Sequence, residues 1–163
     1  MSSDTLTTLA TQVGAKLAAQ GAMLATAESC TGGWVAQALT AIAGSSTWFE
    51  RGFVTYADAA KQEMLGVRAD TLTTYGAVSE HTAREMAAGA LAHSRAQLAV
   101  AVTGIAGPGG GSPEKPVGTV CFAWAMKEGA LDAETRHFNG DRESVRRQAV
   151  IVALQGILLM LQA

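Results

Sequence analysis

Ser29 and Lys61 are the residues of this chain whose types and placement could perform covalent acyl transfer. Ser29 stands in Glu28-Ser29-Cys30-Thr31-Gly32-Gly33, between a short apolar run, Ala22 to Ala27, and a segment with apolar residues at helical spacing, Val35, Leu39 and Ile42. A hydroxyl on a turn from strand to helix is well aimed for nucleophilic attack, because the first N–H groups of the helix have no internal partner and can hold a developing oxyanion. Gly32 and Gly33 let a ligand approach the backbone, and Thr31 adds a hydroxyl to orient it. The same residue types serve a plain helix cap and tight turn equally well, and the segment is not the GxSxG elbow of the α/β-hydrolases.

A serine nucleophile needs a base. His81 falls in the first turn of an expected helix, His93 near a helix end and His137 in an expected edge strand, so each reads as a surface residue. Lys61 suits the role better: enclosed among apolar groups, a lysine falls from a pKa of about 10.4 toward roughly 7 to 8, where it can accept a proton. Ser–Lys pairing is an established variant of the triad, and a solvated lysine on a surface helix is the plainer alternative. Tyr56 and Ser46 are candidate relays. Ser46, a second small hydroxyl in a glycine-containing turn, is also an alternative nucleophile. Cys30 is a rival too, although a small thiol in this setting is more simply a packing group.

The second concentration of chemistry is Thr103-Gly104-Ile105-Ala106-Gly107-Pro108-Gly109-Gly110-Gly111, with five glycines in nine residues directly after the apolar run Leu98 to Val102. Successive exposed N–H groups in such a loop form an anion-binding nest, and ligands of α/β sheets gather beyond strand carboxyl ends; a merely flexible connection has the same composition. No Gly-Lys-Ser/Thr follows, so the loop is not a Walker P-loop, and it lacks the GxGxxG-to-helix continuation of a dinucleotide site. Without a P-loop lysine or a pair of magnesium-binding carboxylates, a phosphotransferase reading has little support. Arg142, Arg146 and Arg147 open the last expected helix, where an arginine fork could grip phosphate or simply face solvent. No cluster of metal-ligating residues stands out.

The elements that must position these residues follow from periodicity and punctuation. An opening helix carries Leu6, Leu9, Val13 and Leu17, with Asp4 as cap and Gly21 as its left-handed stop. Phe53, Val54 and Tyr56 suggest a strand, Asp58 to Leu65 a short helix, and Ser79 caps a helix with Ala83, Met86, Ala87, Ala90 and Leu91 inward. Val117 to Ala125 and Leu131 to Phe138 read as strands joined through Lys127-Glu128-Gly129, and Asp141 caps a long last helix. The expected fold is a three-layer α/β/α sandwich with a mixed, mainly parallel sheet, one domain over residues 1–163. With 48% apolar residues the chain can bury one core. A net charge of −2 gives no electrostatic reason to expect nucleic acid or an anionic membrane as partner. Two cysteines without CxxC spacing fit a reducing, cytoplasmic setting. The N-terminus lacks a signal peptide's continuous apolar core, and no apolar run reaches membrane-spanning length. In the last helix, Val145, Ala149, Val152, Gly156 and Leu159 form one apolar face, while Ile151, Leu154, Ile157, Leu158 and Leu161 form a second. That second face implies either a homodimer or larger assembly, or cover from the first helix.

Read as ordered blocks, Thr26 to Gly33, Gly44-Ser45-Ser46, Tyr56, Lys61, Gly76 to Ser79, Thr103 to Pro108 and Lys115 to Val120 resemble the CinA C-terminal domain family, as does Gly140 to Arg147. The resemblance spans nearly the whole chain. It implies a nicotinamide-nucleotide amidohydrolase, which converts nicotinamide mononucleotide and water to nicotinate mononucleotide and ammonia for NAD recycling, without cofactor. It further implies serine–lysine chemistry on Ser29 and Lys61, with Ser46, Tyr56, Thr103 and Arg142 as the rest of the pocket, to which the two turns themselves add Thr31, Gly32, Gly33, Gly104 and Gly107 as substrate contacts. The additional N-terminal domain of longer relatives is not expected here. The alternative is a non-catalytic nucleotide-binding module.

Overall fold

Large and small apolar residues alternate along the central strands, and this alternation decides how the layers stack. The computed structural model describes residues 2–162, with side chains from residue 5. In chain order it contains α1 (Ser2–Gln20), β1 (Leu24–Glu28), α2 (Trp34–Thr40), a 3-10 turn (Ser45–Thr47), β2 (Phe49–Val54), α3 (Asp58–Leu65) and α4 (Ala69–Tyr75). There follow α5 (Glu80–Ala92), β3 (Leu98–Gly104), β4 (Thr119–Met126), β5 (Leu131–His137) and α6 (Arg142–Gln162). The cap expected of Asp4 lies outside the described side chains.

The strands form one sheet in the order β2-β1-β3-β4-β5. β1 pairs parallel with β2 and β3, whereas β4 is antiparallel to both β3 and β5. Only β4 therefore runs against the other strands, and the mixed sheet matches the expectation. Leu98, Val100, Val102, Val120, Phe122 and Trp124 pack with residues of α1, α2 and α6. The alternate positions, Ala99, Ala101, Cys121, Ala123 and Ala125, pack with α5 and the end of α3. α5 also packs tightly on α3: a Cβ on Gly89 of α5 would stand 1.9 Å from the Leu65 carbonyl oxygen. Caps bound the helices as the sequence suggests. Ser79 Oγ accepts from Thr82 N–H at 3.0 Å, and Asp141 Oδ1 from Ser144 N–H at 2.9 Å.

Helix α6 corrects one expectation and bears out one of two alternatives for its second face. By length and composition it is apolar enough to cross a bilayer, contrary to the sequence reading, yet most of it is buried inside the protein. Its second face is also largely covered within the chain: Leu154, Ile157 and Leu161 are buried in the core that contains Leu6, Val13 and Leu17 of α1. The exception is Leu159, expected on the inward face and 68% exposed. α4 was not anticipated, because Ala-Asp-Thr-Leu-Thr-Thr-Tyr is rich in poor helix formers.

Candidate active site

The parallel pairing brings the ends of β1 and β2 to one edge of the sheet, with Glu28 opposite Val54. Ser29 follows at once, and its N–H donates to Val102 O at 2.9 Å, prolonging the β1–β3 ladder past the strand end. Thr55 N–H donates to Glu28 O at 2.8 Å and prolongs the β2 side likewise. Helix α3 starts at Asp58, so its first turn carries Lys61 back over this edge.

Lys61 is only 1% exposed. Its Nζ donates to Ser29 Oγ at 3.1 Å, Thr55 O at 3.0 Å and Tyr56 O at 3.2 Å. Burial holds the ammonium below the usual lysine range; Asp58, whose Oδ1 is 3.9 Å away, and Cys30 oppose that shift. The geometry suits a base. A neutral amine keeps two N–H groups for the two carbonyls and turns its lone pair to Ser29 Oγ.

Cys30 is poorly suited to act as the nucleophile. Burial, and next the Glu28 charge, push its thiol up to about 12, and its sulfur would stand 3.1 Å from a Cβ on Gly104. It is a packing group. The three histidines stand apart as well, none lining the cleft at Ser29; His81 stacks on Tyr75 and His93 bonds to Gly89 O.

That cleft, about 240 Å³, is walled by Ser29, Cys30, Tyr56, the glycine loop from Gly104 to Gly110, and Arg142. Arg142 donates from Nη1 to Gly107 O and from Nη2 to Tyr56 Oη, both at 2.8 Å. In the loop, Ile105 N–H donates to Thr119 O. Among the described residues, no acceptor takes the N–H groups of Ala106, Gly107, Gly109 and Gly110, and all four residues line the cleft. No group of three or more His, Cys, Asp or Glu side chains among the described residues could hold a metal ion.

The fold thus assembles Ser29, Lys61, Tyr56, Gly104, Gly107 and Arg142, and keeps the remaining expected residues off the cleft wall. Ser46 is exposed in the 3-10 turn that enters β2, at the amino end of the parallel strands. It is a strand's length, roughly 16 Å, from the Ser29 edge, too far to replace Ser29 or relay its proton within one chain. Thr31 is fully buried and donates its hydroxyl to Glu28 Oε1 at 2.6 Å. Thr103 is 1% exposed and donates to Ala77 O at 2.8 Å, tying down the entry to α5. Gly32 and Gly33 have φ of 61° and 107°, so glycine is required there by the turn itself.

Two residues given no role at Ser29 by the sequence reading dominate the turn. Glu28, 1% exposed, accepts from Thr31 Oγ1 and from the N–H groups of Gly33, Val35 and Ala36. Its carboxylate therefore occupies the start of α2, and those donors cannot serve as the oxyanion site expected there. Arg146, expected to grip phosphate or face solvent, instead donates to Cys30 O at 3.1 Å and Thr31 O at 3.2 Å. The signal available in the sequence was a charged residue directly ahead of the serine, at the end of an apolar strand, where burial demands partners.

Known proteins share this architecture. The family model for the CinA C-terminal domain matches residues 6–161. Nicotinamide-nucleotide amidohydrolase PncC of Escherichia coli K12 is 58% identical over 155 residues, 95% of this chain and 94% of that protein. The protein of the same name from Pseudomonas putida is 53% identical over 155 residues, 95% and 96% of the two chains. Among solved structures, the competence/damage inducible protein CihA from Agrobacterium tumefaciens aligns with a TM-score of 0.93 at 51% identity, covering 98% of this chain and 96% of that one.

Proposed function

The chain belongs to the CinA C-terminal domain family, and we propose that it is a nicotinamide-nucleotide amidohydrolase that hydrolyses nicotinamide mononucleotide to nicotinate mononucleotide and ammonia. The observation that carries this reading is the buried 3.1 Å contact between Lys61 Nζ and Ser29 Oγ, beside a cleft lined by the glycine loop and Arg142. The 53–58% identity to proteins named for that activity supplies the substrate.

Ser29 Oγ attacks the carboxamide carbon as its proton passes to the neutral Lys61 amine. The carbonyl oxygen becomes an oxyanion held by the Cys30 N–H and the loop N–H groups of Ala106 and Gly107, since Glu28 occupies the donors of α2. When the C–N bond breaks, Lys61 returns the proton to the departing ammonia; Tyr56, whose Oη accepts from Arg142 and keeps its own O–H to donate, is the second donor. Water then attacks the acyl-enzyme through the same base. Arg142 and the N–H groups of Gly109 and Gly110 offer the charge and donors that a phosphate needs. The route uses no metal or organic cofactor, so EDTA should leave the rate unchanged.

We further infer one amidohydrolase domain over residues 1–163, acting in the cytoplasm as a homodimer without nucleic acid or membrane. The free, buried Cys30 and Cys121 support a reducing compartment. Mixing the protein with nicotinamide mononucleotide and measuring ammonia against nicotinate mononucleotide tests the activity: equal amounts are expected, and a pure binding module would release none.

A further inference from the structure

The turn that carries Ser29 is gripped from two sides by side chains that the reaction above does not use. On one side the Glu28 carboxylate accepts four hydrogen bonds, from the Thr31 hydroxyl at 2.6 Å and from the N–H groups of Gly33, Val35 and Ala36 at 3.2, 2.9 and 3.0 Å. On the other, Arg146 of α6 donates to the carbonyls of Cys30 and Thr31, its guanidinium carbon 5.5 Å from the centre of the Trp34 ring. Neither Glu28 nor Arg146 lines the cleft.

Six of the eight N–H groups from Ser29 to Ala36 have an oxygen acceptor. Ser29 donates to Val102 O, Gly32 to Ser29 O and Trp34 to Thr31 O; Gly33, Val35 and Ala36 donate to Glu28. Within this stretch only the N–H groups of Cys30 and Thr31 have no oxygen acceptor among the described residues, and of these two residues Cys30 lines the cleft. The Cys30 N–H shares a planar peptide with the Ser29 carbonyl. Because that carbonyl is turned to the Gly32 N–H, the Cys30 N–H is held pointing the opposite way.

A buried carboxylate is a costly way to cap a helix of seven residues. The ordinary cap, a short polar side chain just before the helix, is excluded because Gly33 there has φ of 107°. The cap comes instead from the residue preceding the serine, so strand end, nucleophile and helix start are one hydrogen-bonded unit.

We propose that Glu28 and Arg146 are positioning residues for acyl transfer: without touching substrate, they fix the Ser29–Cys30 peptide so that the serine hydroxyl and the Cys30 N–H address the same reacting carbonyl. This rests on the reading of Ser29 as nucleophile. The experiment compares wild type with Arg146→Met, Arg146→Lys and Glu28→Gln by two measurements. One is kcat and KM for ammonia release from nicotinamide mononucleotide. The other is the rate at which an alkyl fluorophosphonate labels Ser29, followed by intact mass and peptide mapping. In that labelling the Oγ–P bond forms, the P–F bond breaks with loss of fluoride, and the serine proton goes to Lys61. In Arg146→Met both kcat and labelling should fall by roughly tenfold to a hundredfold with KM within about twofold. Arg146→Lys, which keeps the charge without the planar fork, should recover part of the loss. Glu28→Gln should behave like Arg146→Met; if it does not fold, the two Arg146 variants carry the test. Wild-type kcat and labelling in folded Arg146→Met would overturn the proposal alone, as would a raised KM at unchanged kcat. A wild-type protein unlabelled at Ser29 would overturn the nucleophile assignment and the positioning roles with it.

Discussion

The Lys61 amine lies 3.1 Å from the Ser29 hydroxyl across 32 residues of chain, and both groups are buried at the carboxyl edge of the sheet. Helix α3 makes this contact by folding back over the ends of β1 and β2. The carbonyls of Thr55 and Tyr56 then hold the amine in place.

Nucleophile and base that act as one unit lose activity non-additively. Ser29→Ala and Lys61→Ala should each remove nearly all deamidation, and the double variant should be no worse than either alone. Ammonia release at saturating nicotinamide mononucleotide is the measurement, with circular dichroism to confirm folding. Near wild-type turnover in Ser29→Ala would sink the assignment.

Burial lowers the Lys61 pKa, and the sign of the pH dependence follows. The base works unprotonated, so kcat/KM should rise with pH as Lys61 loses its proton, and the lowered pKa moves that limb below the usual lysine range. Asp58 favours the charged form from 3.9 Å. Asp58→Asn should therefore shift the limb to lower pH, and a shift to higher pH would contradict the role given to Lys61.

Much of this site was legible because local chemistry dictated it. Asp58 to Leu65 is a helix as its periodicity suggests, Ser79 caps α5, and the glycines after β3 form the cleft wall. What could not be read were partners far apart in sequence. Arg146 meets the Ser29 turn from 115 residues away, so beside Arg142 and Arg147 it looks like one more arginine on a helix face. Thr31 and Thr103 were read as ligand contacts because a hydroxyl in a turn does not reveal which way it points. Each donates within the chain, Thr31 to the buried Glu28 carboxylate and Thr103 to the half-buried Ala77 carbonyl. The place of Ser46 was hidden for a different reason: a glycine-containing turn occurs at either end of a strand, and only the register of β1 with β2 tells which end.

Thr31→Val removes the 2.6 Å bond to a buried carboxylate without opening the cleft. The expected cost is about 1–3 kcal/mol, with KM for the nucleotide unchanged. Thermal unfolding and steady-state kinetics together check it; a large rise in KM would restore Thr31 as a ligand contact.

Gly89 of α5 lies against Leu65, the last residue of α3, so closely that an added Cβ would meet the Leu65 carbonyl oxygen at 1.9 Å. Gly89→Ala must push α3 away, at a cost of about 1–3 kcal/mol or more. Because Lys61 sits one turn earlier on α3, kcat should fall as well. An alanine variant with unaltered melting temperature and kcat would show that the two helices are not in this contact.

The remaining prediction concerns assembly. With Leu154, Ile157 and Leu161 buried in the core shared with α1, the uncovered part of α6 shrinks to the half-buried Ile151 and Leu158 and to Leu159, which is 68% exposed. One exposed leucine needs no explanation. Leu159, however, borders a groove of about 240 Å³ between α6 and β5 that also contains Trp124, Ala130 and Met160, with Asp132 and Glu134 on its β5 side, and an apolar side chain entering from a second copy would meet its α6 side. A two-fold axis beside α6 would bring Leu159 of each copy to the other's groove, the self-complementary arrangement that closed dimers use. Light scattering at micromolar protein should give about twice the chain mass of 16.8 kDa, and Leu159→Glu should return it to a single chain. A wild-type protein at the single-chain mass would refute the dimer, and a Leu159→Glu protein that stays dimeric would move the contact off α6, most simply to the exposed edge strand β5.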